Sequence, residues 1–127
     1  MLALAKLTEP GPFEARTIEM GRFVGFRDEA GRLLAMGGER MHPAGYTEVS
    51  GICTLPEVRG RGLAEAIVRS VAAGIQARRE IAFLHVRIGS PSEASAVALY
   101  ERVGFRERRK FALDIVQARP VRDRAAR

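Results

Sequence analysis

The chain has 127 residues, 46% apolar and 28% charged, with a net charge of +6 and a single cysteine. That length fits one domain with a core of its own. A lone cysteine excludes an internal disulfide, and no apolar run reaches the length of a membrane span. The apolar start Met1–Leu7 has neither a basic opening nor a cleavage pattern, so a soluble, cytoplasmic protein is expected. The charge is uneven. Residues 106–127 hold eight Arg and Lys against three acids, so most of the excess lies at that end. Such an end can touch nucleic acid, an acidic partner or the phosphates of a ligand. No aromatic residues interleave with its last arginines, so no stacking platform for single strands is visible.

In chain order, Met1–Leu7 suits a short helix, broken by Pro10-Gly11-Pro12. Arg22–Arg27 and Arg32–Met36 flank the turn Asp28–Gly31 and predict a hairpin. Gly37-Gly38 marks a bulge or the end of the returning strand. After the turn His42–Gly45, a central antiparallel strand runs from about Tyr46 to Leu55. Pro56 ends it, having no N–H to donate. A turn Arg59-Gly60-Arg61-Gly62 opens a helix to about Arg79, with Leu63, Ile67, Val71 and Ile75 four apart. Ile81–Val86 is a near-continuous apolar run, as a buried parallel strand would be. Ser90-Pro91-Ser92-Glu93 reads as a capping box for a helix to Val103, ended by Gly104. Phe105 to about Val116 predicts a last strand. Residues 1–118 then form the domain, and 119–127 a basic, disordered tail.

The strand, glycine-rich turn and helix around residues 47–64 suggest a use. The first N–H groups of a helix lack partners within it and lie at its positive end. Glycines let backbone approach a ligand closely, and arginines add charge. Together they make a cradle for phosphate or pyrophosphate. A P-loop would require Gly-Lys-Ser/Thr, which is absent, and a dinucleotide fingerprint fails at Glu65.

Arg59-Gly60-Arg61-Gly62-Leu63-Ala64 resembles the Arg/Gln-x-x-Gly-x-Gly/Ala signature of the GNAT superfamily of acyl-CoA-dependent N-acetyltransferases. Downstream, Ala96-Val97-Ala98-Leu99-Tyr100-Glu101-Arg102-Val103-Gly104-Phe105 is similar to that family's Ala-x-x-Leu-Tyr-x-x-x-Gly-Phe segment. The resemblance implies an α/β fold with a mixed sheet of five or six strands and two principal helices. It implies direct transfer of acetyl from acetyl-CoA to a primary amine, without a covalent enzyme intermediate. Backbone amides of Arg59, Gly60, Arg61, Gly62, Leu63 and Ala64 would hold the pyrophosphate. Backbone groups of Cys53, Thr54 and Leu55 would pair with the pantetheine arm like an added strand. N–H groups of the same strand would polarise the thioester carbonyl.

Tyr100 is then the candidate general acid for the leaving thiolate, against the plainer reading of a core tyrosine. Glu48 is the candidate base, its pKa expected to be raised by partial burial. The alternative for Glu48 is a solvent-facing residue at a strand edge, and Glu39 and Glu57 are weaker candidates. Cys53 reads as a buried strand residue rather than a nucleophile. His85 reads as a core histidine and His42 as a surface turn residue. Two isolated histidines and one cysteine make no metal pattern.

Two departures from the family stand out. Glu93 takes the place, seven residues before Tyr100, where relatives carry an asparagine. Only about twenty residues precede Arg22, where relatives have a strand and two helices. The expectation is a C-terminal, CoA-binding lobe that begins late or completes its acceptor wall in a homodimer. Two rival readings are a non-catalytic acyl-CoA-binding or sensor module, and a nucleic-acid-binding protein using its arginine-rich end.

Overall fold

The computed structural model describes residues 1–8, 10–114 and 116. Helix α1 (Leu2–Thr8) leads, through a 3-10 turn at Thr17–Glu19, to β1 (Phe23–Arg27) and β2 (Leu33–Glu39). These form the expected hairpin. Strand β3 (Tyr46–Thr54) pairs antiparallel with β2, and a 3-10 turn at Pro56–Val58 connects it to α2 (Leu63–Ala77). Strand β4 (Ile81–Phe83) runs parallel to β3, and α3 (Glu93–Val103) follows. The sheet order is β1-β2-β3-β4. This is a mixed α/β fold with four strands among the described residues, where the sequence suggested five or six.

Side-chain alternation places the layers. On β2, Ala35 packs with Val49, Ile67, Val71 and Ile75, while Met36 packs with Leu4, Ala5, Cys53, Leu55 and Val58. Neighbouring strand residues point to opposite faces, so α2 covers one face of the sheet and α1 the other. Burying each of Ile67, Val68, Val71 and Ile75 is worth about 1.5–3 kcal/mol. Helix propensity contributes at most about 0.7 kcal/mol per ordinary residue, so packing decides that α2 forms. None of the described helices is long and apolar enough to cross a membrane.

Three expectations are corrected. The run Ile81–Val86 is an edge strand of three residues, with Ile81 57% exposed. Beyond Phe83 the chain leaves the ladder, because Leu84 packs into the α2 face and His85 turns to a carboxylate on β3. The last strand is absent between Phe105 and Asp114, and Phe111 and Leu113 stand exposed. A strand needs an edge to pair with, and β4 offers little. The bulge falls opposite Gly37, with its extra residue on β3 rather than in the Gly37-Gly38 pair. Met36 pairs with Cys53 but Gly38 with Ser50, so β3 carries the extra residue. The proposed tail, 119–127, lies outside the described residues.

Gly37 and Gly38 serve close packing instead. A Cβ on Gly38 would lie 2.4 Å from the Phe23 ring and 2.6 Å from the Arg22 carbonyl oxygen. We therefore expect Gly38→Ala to destabilise the fold by about 1–3 kcal/mol. Denaturant unfolding measures it, and an unchanged midpoint would contradict the packing described.

Candidate active site

Strands β3 and β4 stay together only over Tyr46↔Ile81, Thr47↔Ala82 and Glu48↔Phe83. Past that point β3 continues six residues to Thr54 while the other chain turns away. No described strand covers that side of Val49–Thr54. The result is a side of β3 without a strand partner, a gap in the sheet that runs from Glu48 along Val49–Thr54, the stretch that leads into the Arg59–Gly62 turn. The β3 bulge sits beside it, at Gly51, whose φ of +66° suits glycine. Bulges leave a residue unpaired and re-aim backbone groups.

At the wide end of the gap, Gly62 caps α2 in the left-handed region, φ +76°, without a side-chain cap bond. None of the N–H groups from Gly60 to Ala64 donates to a described residue. Neither Arg59 nor Arg61 is paired with an acid among the described residues. The acids nearby are engaged elsewhere: Glu57 with Arg32, and Glu65 with Arg69 and Arg102. Thr54 is 9% exposed, and its buried hydroxyl has no hydrogen-bond partner among the described residues. A row of free N–H groups, two unpaired guanidiniums and an orphaned hydroxyl fit an elongated ligand with phosphates at one end. Leu55 is less available than the sequence suggested, since its N–H already donates to the Leu34 carbonyl at 2.8 Å.

At the closed end lies Glu48, 1% exposed. Arg40 grips it bidentately, Nη2 to Oε1 at 2.8 Å and Nε to Oε2 at 3.0 Å. The Met41 N–H reaches Oε2 at 3.3 Å, and His85 Nδ1 lies 2.9 Å from Oε1. Burial pushes the Glu48 carboxyl up, but the hydrogen bonds and charges of Arg40 and His85 outweigh it and hold the pKa below its ordinary value. Two expectations change here. Glu48 does not have a raised pKa, nor does it face solvent. His85 is not a core residue: its side chain is 37% exposed, and its ring meets Phe83 and Phe111 edge-on.

The remaining candidates are dispersed. Tyr100 is half-buried on α3, edge-on to Phe105, and hydrogen-bonds to neither Glu48 nor His85. Burial pushes its phenol above the ordinary value, so it stays protonated at neutral pH. Gly104 ends α3 with φ +113°, its N–H bonded to the carbonyls of Tyr100 and Glu101. The capping box does not form. Instead Glu93 accepts the Gly89 N–H at 2.7 Å, while the Ser90 hydroxyl donates to the Arg87 carbonyl. Cys53 is buried, and burial pushes its thiol up, which leaves it a poor nucleophile. Glu39 is buried in an ion pair with Arg78. His42 bridges the Thr47 hydroxyl and the Met20 carbonyl. Sequence reasoning missed Arg40 and Gly51. A glycine inside a strand pattern is the signal for such a bulge; for Arg40 no motif exists.

Comparison with known proteins now bears on the site. The profile of the family described as FR47-like protein matches residues 23–112. A protein from Novosphingobium aromaticivorans assigned as a GNAT-family acetyltransferase is 52% identical over 85% of this chain, with a TM-score of 0.79. The chain belongs to the GNAT family. It spans 47% of that relative's length. Two more distant acetyltransferase structures share the architecture. An acetyltransferase of Trypanosoma brucei is 20% identical, covering 88% of this chain and 87% of its own, with a TM-score of 0.65. The ribosomal-protein-S18-alanine N-acetyltransferase of Escherichia coli is 19% identical, covering 84% and 70%, with a TM-score of 0.68. No curated protein matches the chain.

In this GNAT chain the Arg40–Glu48 pair also governs stability. Arg40→Ala leaves a buried carboxylate short of its main partner, and we expect a loss of about 3–5 kcal/mol. Because the folded pKa of Glu48 is depressed, its contribution is present above the ordinary value of 4.5 and is lost as pH falls through the folded value. Glu48→Gln should therefore differ from wild type in unfolding free energy at neutral pH and approach it in acid. An equal gap at both pH values would contradict the ionised pair.

Proposed function

We propose that this chain transfers acetyl from acetyl-CoA to a primary amine by direct attack in a ternary complex, with residues 1–118 as the working unit. The observation that carries the reading is the gap between β3 and β4 joined to the free N–H row of Gly60–Ala64. The amides of Gly60, Arg61, Gly62, Leu63 and Ala64, with the side chains of Arg59 and Arg61, hold the pyrophosphate. Cys53, Thr54 and Leu55 line the place of the pantetheine arm, where Thr54 supplies a hydroxyl that lacks a partner. Acetyl-CoA brings the activated thioester; this chain binds it, directs the carbonyl and handles protons.

The backbone at the Gly51 bulge is turned out of the β2 ladder beside the gap, which suits it to donate to the carbonyl oxygen as charge develops there. One such preorganised donor is worth about 3 kcal/mol. Tyr100, kept protonated by burial, donates to the departing thiolate. Glu48 stays ionised at the closed end and belongs to the proton-accepting side of the site. The acceptor is an amine whose identity is set by surfaces outside this constellation, as is usual for sites grafted on shared folds. Strand β1 is an open edge of the sheet, and a homodimer covering that edge belongs to the same proposal. Cytoplasmic residence is part of the reading as well, in keeping with the single cysteine.

Thermal melts with acetyl-CoA, CoA and ATP test the binding half. Ligand at about 100 times its dissociation constant should add about 2.7 kcal/mol with both CoA species and not with ATP; no shift with any would refute it. Tyr100→Phe should retain that shift while turnover on an amine falls about 10²- to 10⁴-fold. Binding without turnover in the wild type would leave a non-catalytic acyl-CoA-binding module.

A further inference from the structure

We propose that His85 is the group that takes the proton from the attacking amine, and that Glu48 acts through it as a positioning residue. This rests on the acetyl-transfer reading above. The geometry has three parts. His85 lies two residues past the last β4 pair, Phe83, and so at the point where the two strands part. Its Nδ1 is held on Glu48 Oε1 at 2.9 Å, while its Nε2 bonds to no described residue. Its side chain is 37% exposed, so the ring is not sealed from solvent.

An ion pair built only for stability would not need this histidine. Arg40 already donates to both Glu48 oxygens, and the Met41 N–H adds a third donor. The imidazole is an additional partner, and the contact fixes its chemistry. A carboxylate can only accept, so Nδ1 carries the hydrogen, and in the neutral ring Nε2 then keeps its lone pair. The ring's orientation is held on two further sides by Phe83 and Phe111, with centroids at 5.7 and 5.4 Å. The ring thus meets Glu48 from β3, Phe83 from β4 and Phe111 from the C-terminal segment, with Arg40 bound to the same Glu48 carboxylate.

Glu48 itself is poorly placed to meet an amine. It is 1% exposed and its oxygens are filled by Arg40, Met41 and His85. As a fixed buried acceptor it instead holds the ring by Nδ1. His85 Nε2 first takes one proton from the ammonium, which frees the nitrogen's lone pair. That nitrogen then bonds to the acetyl carbon as the carbon–sulfur bond breaks. Its second proton passes to solvent, and the thiolate takes the Tyr100 hydroxyl proton. The imidazolium releases its proton to solvent, and the phenolate regains one from it.

Two measurements test this on the full chain. The first is ¹⁵N NMR of the His85 ring. The Nδ1–H tautomer is expected in the neutral wild type, and an Nε2–H tautomer would overturn the proposal. The second compares wild type, His85→Gln and Glu48→Gln with acetyl-CoA, following thiol release. The probes are n-butylamine, which arrives protonated, and hydroxylamine, which arrives neutral and needs little base. His85→Gln should lose about 10²- to 10⁴-fold in kcat/KM on n-butylamine, with little change on hydroxylamine and an unchanged KM for acetyl-CoA. Glu48→Gln should lower kcat on n-butylamine without raising that KM. Equal losses on both amines would mean a structural role and overturn the assignment. Full activity of His85→Gln on n-butylamine would overturn it while leaving acetyl transfer intact. A wild type inactive on both amines and unshifted by CoA would overturn the acetyl-transfer reading, and this inference with it.

Discussion

The parting of β3 from β4 after three paired residues is the constraint on which the other features of this molecule depend. Buried backbone groups need partners, so a strand released on one side must find something else there. The sheet provides for one side of β3 through β2, and α2 and α1 cover its two faces. The side beyond Glu48 stays open, and both ends of that opening are specialised. At one end is a helix N-terminus whose first N–H groups and two arginines have no partner among the described residues. At the other is a buried carboxylate with an arginine and a histidine on it. The same divergence that weakens the sheet makes room for an extended ligand carrying amides of its own.

The two ends obey different electrostatic rules. The Arg59–Gly62 turn is exposed, and water screens its positive charge. Gly60 and Gly62 are left-handed, a conformation that can turn successive N–H groups outward. Glu48 is in the opposite regime. Burying a carboxylate costs several kcal/mol unless partners compensate, and Arg40 compensates with a planar, two-bond grip that a lysine would not reproduce. A carboxylate locked in this way serves better as a fixed charge than as a mobile proton acceptor. That distinction separates Glu48 from His85, whose second nitrogen bonds to no described residue.

Much of this was legible in the sequence where the signal was local. The hairpin, the α2 stripe of Leu63, Ile67, Val71 and Ile75, and the Gly104 cap each follow from period or turn chemistry within a few residues. The order of strand, glycine turn and helix on which the proposed anion cradle rests was legible for the same reason, since the three are consecutive. What could not be read depends on partners far along the chain. Arg40 and His85 meet Glu48 from eight and thirty-seven residues away, and no spacing rule links them. An apolar run such as Ile81–Val86 predicts burial, yet it forms an edge strand because the last strand that would cover it does not form between Phe105 and Asp114. The bulge was expected at a glycine pair in β2. It formed at Gly51 in β3, while the pair proved to be packing contacts with Phe23 and Ile52.

The central claim is that one ligand spans the gap from the α2 N-terminus to Glu48. Backbone amide NMR shifts on adding CoA and then acetyl-CoA test it most directly. The account predicts that CoA perturbs Gly60–Ala64 and Cys53–Thr54, and that acetyl-CoA extends the perturbation to Gly51 and the His85 ring. Perturbations confined to the arginine-rich segment after Phe105, with the β3 and α2 amides unmoved, would contradict it.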